Sequence, residues 1–151
     1  MTENLRLIWK KIEQLQRMAN YLAYSTGQIR PFVPITNWAE LTDAQHEALA
    51  AFRVRFSELQ EHLGKTMRAI AIEEEAAVTP FGAVLAYMEK LEILDSAEHW
   101  KLIRELRNAV NHEYEEDENR LSEFFTMLLA ETTTLAAYLE RIIAFCNQAY
   151  R

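Results

Sequence analysis

The residues with the most chemistry to offer lie in one stretch, Trp100–Glu118, which reads Trp-Lys-Leu-Ile-Arg-Glu-Leu-Arg-Asn-Ala-Val-Asn-His-Glu-Tyr-Glu-Glu-Asp-Glu. On a helix, Leu102, Ile103, Leu106, Ala109 and Val110 share one side, and Arg104, Arg107, Asn108 and Asn111 form a polar band flanking it. His112 stands four residues after Asn108, at the edge of that band if the helix persists so far. Arginine grips phosphate with a planar fork of donors and stays charged. Histidine takes or gives a proton near neutral pH. Amides orient phosphate or sugar. Together these groups suffice to cleave RNA without a metal: a base removes the ribose 2′-hydroxyl proton, the oxygen attacks the adjacent phosphate, and arginine stabilises the added charge. The same residues also suit a solvated helix face closed by a histidine that the helix dipole favours.

The run Arg107-Asn108-Ala109-Val110-Asn111-His112-Glu113-Tyr114 resembles the Arg-x4-His-x-Tyr signature of the HEPN superfamily. It is most similar to that of the HepT-type toxins, whose partners are MNT-type (minimal nucleotidyltransferase) antitoxins. Relatives were once described as nucleotidyltransferase substrate-binding proteins. The resemblance covers nearly the whole chain: a long pair of helices, a short pair, the motif and a closing helix. It implies the toxin of a type VII-like toxin–antitoxin pair, a metal-independent endoribonuclease needing no cofactor. Arg107 and His112 would be the catalytic pair. Asn108, Asn111 and Arg104 would support and orient RNA. Tyr114 would be the tyrosine to which the antitoxin transfers AMP, placing a bulky anion two residues from His112. It also implies a homodimer, or a higher assembly, in which two copies of the motif face each other across a cleft. A reading of a different class stays open beside it: a non-catalytic subunit that docks a nucleotidyltransferase and shapes its active site.

The elements that must position these residues are helical. Only three Gly and three Pro interrupt 151 positions, which all but excludes a sheet fold with its many turns. Residues 3–24 carry an apolar stripe at helical spacing, and 25–41 read as an apolar loop broken by Gly27, Pro31, Pro34 and Asn37. Thr42 with Gln45 predicts a capping box opening a long helix that fades near Glu73–Ala77. Thr79-Pro80 predicts a cap and a first-turn proline for a short helix ending near Leu91. Asp95 with Glu98 predicts the cap of the next helix, about 96–110, and Asp117 or Glu118 opens a last helix over about 118–149. The expectation is one all-α domain over 1–151, an antiparallel bundle of four or five helices, with one possible split. Two long helices come first, two short ones follow, and a long one closes the chain.

The net charge of −7 argues against coating duplex DNA, so any nucleic-acid contact must be local. The acidic run Glu113, Glu115–Glu118 suits the first turn of the last helix or a partner's basic surface. A single cysteine, Cys146, excludes an internal disulfide, and it reads as a buried small side chain. With no apolar stretch of membrane-spanning length and no signal-like N-terminus, the expected location is the cytoplasm, away from membranes. His46, His62 and His99 have no metal-ligand spacing, and Glu73–Glu75 reads as a solvated helix end. Arg53, Arg55, Lys65 and Arg68 could extend an RNA path or simply be exposed positions on a long helix. No glycine-rich phosphate loop is present.

Overall fold

The computed structural model describes residues 1–112 and 117–151, His112 by its backbone only. The described residues form an all-α bundle without strands. Helix α1 spans Glu3–Ile29, α2 Asp43–Glu73, α3 Phe81–Lys90 and α4 Ala97–His112; the last helix comes in two segments, α5 Glu118–Ala130 and α6 Thr132–Ala149.

Hydrogen bonds between helices set the register. Asn4 Nδ2 donates to the Ala69 carbonyl at 3.1 Å, and Arg55 Nη1 donates to Ser25 Oγ at 2.9 Å. These pairs run in opposite directions along the two helices, so α1 and α2 form a long antiparallel hairpin. Helix α4 crosses back along α2 in the same manner, with Trp100 opposite Gln60 and Asn111 opposite Arg53. The bundle closes where Tyr150 Oη donates to Glu74 at 3.0 Å and the Arg151 guanidinium lies 4.5 Å from the Trp9 ring centre. Inside, Phe52, Phe56, Phe125 and Tyr138 are fully buried, and the rings of Trp100 and Tyr138 sit 6.0 Å apart. Truncating one such aromatic typically costs about 3–5 kcal/mol, so this core fixes where α2 and α4 lie.

The termini follow local chemistry, with four departures from the sequence pattern. The capping box of α2 is present: Gln45 N–H donates to Thr42 Oγ1 at 3.1 Å, and Thr42 N–H to Gln45 Oε1 at 2.9 Å. Asp117 caps α5 through Asn119 and Arg120 N–H. Helix α1, however, runs five residues past Tyr24, through Gly27, because Ser25, Thr26 and Ile29 are buried against the body. Packing there outweighs glycine's weak helix preference. Helix α3 begins at Phe81, with an extended Pro80 as its N-cap and no side-chain cap. Ser96, not Asp95, serves the start of α4: its Oγ accepts from Glu98 N–H at 3.1 Å, while Asp95 pairs with Arg141 at 3.1 Å. The last helix breaks at Glu131. There Thr132 and Thr133 hydroxyls donate to the carbonyls of Leu129 and Ala130, competing with the helical ladder. The apolar loop packs on the body, with Trp38 stacked 6.3 Å from Phe125.

Helices α2 and α3 end alike. Ala76 N–H donates to the Ala71 carbonyl and Glu75 N–H to that of Ile72; Ile93 N–H donates to Met88 and Glu92 N–H to Glu89. Both are Schellman endings, whose turning residue adopts positive φ. That residue is Glu75 (φ 57°) in one and Glu92 (φ 62°) in the other, where glycine is the usual choice. Glu75→Gly and Glu92→Gly should therefore each stabilise the fold, by up to about 1 kcal/mol, read as a higher urea midpoint. Equal or lower midpoints would refute the strain.

Candidate functional site

The face of α4 carrying Trp100, Arg104, Arg107 and Asn111 lies along α2. The helical period sets this choice: these positions recur every three or four residues, while Ile103 and Val110 point into the core. Between the two helices and the first residue of α3 opens a groove of about 480 Å³. From α2 it takes Gln60, Glu61, Gly64, Lys65 and Arg68. Phe81, Trp100, Arg104 and Arg107 complete it. Four cations and one carboxylate line the groove, and that carboxylate, Glu61, is already 3.5 Å from Lys65. In a chain of net charge −7 this is a local concentration of positive charge.

Arg107 is the half-buried member of the set. Its Nη2 donates to Asn108 Oδ1 at 3.2 Å, its Nη1 reaches the Ser57 carbonyl at 3.5 Å, and its Nε is buried without a partner. Burial first, and the neighbouring Arg104 second, lower its pKa, against the opposing pull of Glu61. The guanidinium stays charged at neutral pH, and among the described residues no carboxylate pairs with it. Asn108 supplies only a neutral oxygen. Such a group stabilises an incoming phosphate more than a solvated arginine does, because less water must be displaced.

Of the residues singled out by spacing, Arg104, Arg107 and Asn108 come together. Asn111 is turned toward α2, where its Oδ1 accepts from Arg53 Nη1 at 3.1 Å. His112 is the last residue of α4, one register step beyond Asn108; its side chain, and the whole of Tyr114 with Glu113, Glu115 and Glu116, lie outside the described residues. Lys65 and Arg68 join the groove, whereas Arg55 binds the α1 side, over the Tyr21 ring. The other histidines are scattered: His46 meets the Trp38 ring edge-on and His99 bonds Glu131 at 2.9 Å. Glu73 holds Thr2 and Asn4, and Glu74 holds Tyr150, so the glutamate run clasps the bundle's end. Among the described residues no three His, Cys, Asp or Glu side chains cluster as a metal site would, and no helix is long and apolar enough to cross a membrane.

Spacing alone missed Gln60, Gly64, Phe81 and Trp100. A signal was available for two of them. Gln60 and Gly64 continue the period of Phe52 and Phe56, so a polar group and a missing side chain occupy core-facing positions of α2. Both are buried. A Cβ at Gly64 would touch Trp100 at 3.4 Å and Phe81 at 3.5 Å, so glycine there leaves the groove its floor. No family model, curated protein or solved structure matches the chain.

Gln60 Nε2 makes one long bond, 3.4 Å, to the Trp100 carbonyl, and Oε1 has no partner. Removing the amide gives up one long hydrogen bond and relieves one buried oxygen without a partner, so Gln60→Met should lower stability by no more than about 1 kcal/mol in urea unfolding. A loss of more than that would make the amide structural.

Burial also raises the Tyr138 hydroxyl from 10.0 and the Cys146 thiol from 9.0, each to about 12. The unfolded chain therefore ionises first, and the native state binds more protons between about pH 9 and pH 12. Stability should be whole below that window and fall through it, and Tyr138→Phe should flatten the decline. In native protein Cys146 should resist a thiol reagent at pH 8; rapid labelling would contradict its burial.

Proposed function

We propose that the protein is a metal-independent ribonuclease of HEPN type, the toxin of a nucleotidyltransferase-linked pair, acting as a homodimer. The observation that carries this reading is Arg107: a half-buried guanidinium with no carboxylate partner among the described residues, set in a groove with three further cations on an acidic chain. Phosphate is the ligand this arrangement is short of.

In the proposed reaction neutral His112 of one protomer takes the 2′-hydroxyl proton. The O2′ lone pair then forms a bond to phosphorus. The P–O5′ bond breaks, and the leaving 5′-oxygen takes a proton from the protonated His112 of the second protomer. The products are a 2′,3′-cyclic phosphate and a free 5′-hydroxyl. Arg107 binds the non-bridging oxygens and stabilises the charge that grows on them. Asn108 holds the Arg107 fork through its Oδ1, which makes it a positioning residue. A dimer is needed because one imidazole cannot be base and acid in the same step. Helices α4 and α5 each leave a large apolar side chain in solvent, Leu102 and Met127, that a second copy would cover. AMP on Tyr114 would silence the site by bulk and by charge.

The chain's acidity favours a second reading, a non-catalytic subunit that binds the nucleotidyltransferase. End-labelled RNA incubated with purified protein in excess chelator separates the two. The parent should cleave, and His112→Ala and Arg107→Ala should each lose at least about 100-fold in rate while keeping their circular dichroism and dimer mass. If both variants cleave like the parent, the assignment is wrong. If the parent does not cleave but forms a stable complex with a nucleotidyltransferase, the second reading stands.

A further inference from the structure

The groove's chemistry is divided, and the division specifies a ligand. Its rim carries Lys65, Arg68, Arg104 and Arg107, and its floor is made by Phe81 and Trp100, whose rings both stand beside Gly64. At the wall stands Gln60, 1% exposed, whose Oε1 accepts from no group among the described residues. A bare phosphate would satisfy the rim and leave the floor and the amide unused. An apolar molecule would use the floor and leave the three arginines of the rim unmatched. A ligand that fits both is flat, apolar on its faces, carries an N–H donor at its edge and bears a phosphate. About 480 Å³ lies within the range of small-molecule sites.

We infer that the groove is a nucleotide subsite: it seats one base, with an exocyclic amine donating to Gln60 Oε1, and holds the attached phosphate on Lys65, Arg68 and Arg104. The inference rests on the ribonuclease reading in one respect. Arg107, shared by groove and reaction, binds the scissile phosphate, so the seated nucleotide is its neighbour in the strand. A carbonyl oxygen without a donor selects amine-bearing bases over their carbonyl counterparts, since a base oxygen brought against Oε1 would leave two acceptors facing each other. Cytosine is thereby preferred to uracil, which carries an oxygen where cytosine has its amine. Gly64 is a specificity device, because any longer side chain there would occupy the place of the base.

The test uses a fluorescein-labelled hexanucleotide, 2′-O-methylated throughout and rich in cytosine, which lacks the attacking hydroxyl and cannot be cleaved. Fluorescence polarisation measures its binding and its displacement by cytidine monophosphate, uridine monophosphate and inorganic phosphate. Cytidine monophosphate should displace it roughly tenfold better than uridine monophosphate, and both better than phosphate. Gln60→Met should erase the difference between the two nucleotides. Lys65→Ala and Arg68→Ala, both surface changes, should each lower the salt slope of binding by about 0.7. Gly64→Leu should abolish displacement; should it fail to fold, the lysine and arginine variants and the pair of nucleotides decide alone. The subsite is overturned if phosphate competes as well as cytidine monophosphate, or if Lys65→Ala and Arg68→Ala bind as the parent does. Binding that follows this pattern without any cleavage of ordinary RNA keeps the subsite and sinks the ribonuclease. Cleavage unaffected by Lys65→Ala and Gly64→Leu does the reverse. Mononucleotide binding without oligonucleotide binding assigns the groove to a free nucleotide.

Discussion

The seating of Trp100 against Gly64 is the contact on which the rest of the structure depends. An indole needs a gap, and α2 provides one by having no side chain at that turn. The indole is buried there, with its backbone carbonyl toward Gln60 and its ring near Tyr138. With the start of α4 so anchored, the helical rise carries Arg104 and Arg107 along α2 at fixed height. The guanidinium of Arg107 then lies against the Ser57 carbonyl rather than in open water. A Cβ at 64 would meet the Trp100 and Phe81 rings at ordinary contact distance, and a longer side chain would have to extend into the groove beside them.

Electrostatics gives that placement its meaning. The chain as a whole carries net negative charge and repels polyanions at long range. Within about 8–10 Å, screening leaves only local charge to be felt, and the groove's cations then dominate. For a ligand of the kind proposed, overall repulsion with local attraction would favour fit to the groove over charge alone. A partly desolvated arginine also interacts more strongly with an anion than its exposed neighbours do. The Lys65–Glu61 pair spends one of the cations, so the groove attracts anions without being uniformly basic.

The helix ends show the same compromise between local preference and packing. Two glutamates take the positive-φ position of a Schellman ending, where they are strained, because the bundle needs α2 and α3 to turn there. Gly27, by contrast, lies inside α1 with nothing near its missing Cβ, and the helix simply passes through it. Glycine's presence is a poor guide to where a chain turns when burial on either side decides the matter.

Much of the architecture was legible in the order of residues. The scarcity of Gly and Pro, the apolar stripes, and the capping residues Thr42 and Asp117 are short-range signals, and they determined that the chain is helical and where most helices begin. The same short-range logic brought Arg104, Arg107 and Asn108 onto one side of α4. It stopped at what faces them. Ser96 replaced Asp95 as the cap because Asp95 has a partner 46 residues away, in Arg141. Asn111 turned to Arg53, and Lys65, Arg68 and Phe81 joined the groove, because three helices distant in sequence converge there. Periodicity says which residues share a face; only the packing of one face on another says which groups lose water and which remain without partners. That is why the cations could be named from the chain alone, whereas the groove around them, with its aromatic floor beside Gly64 and the Gln60 amide oxygen left without a donor among the described residues, belongs to the tertiary structure.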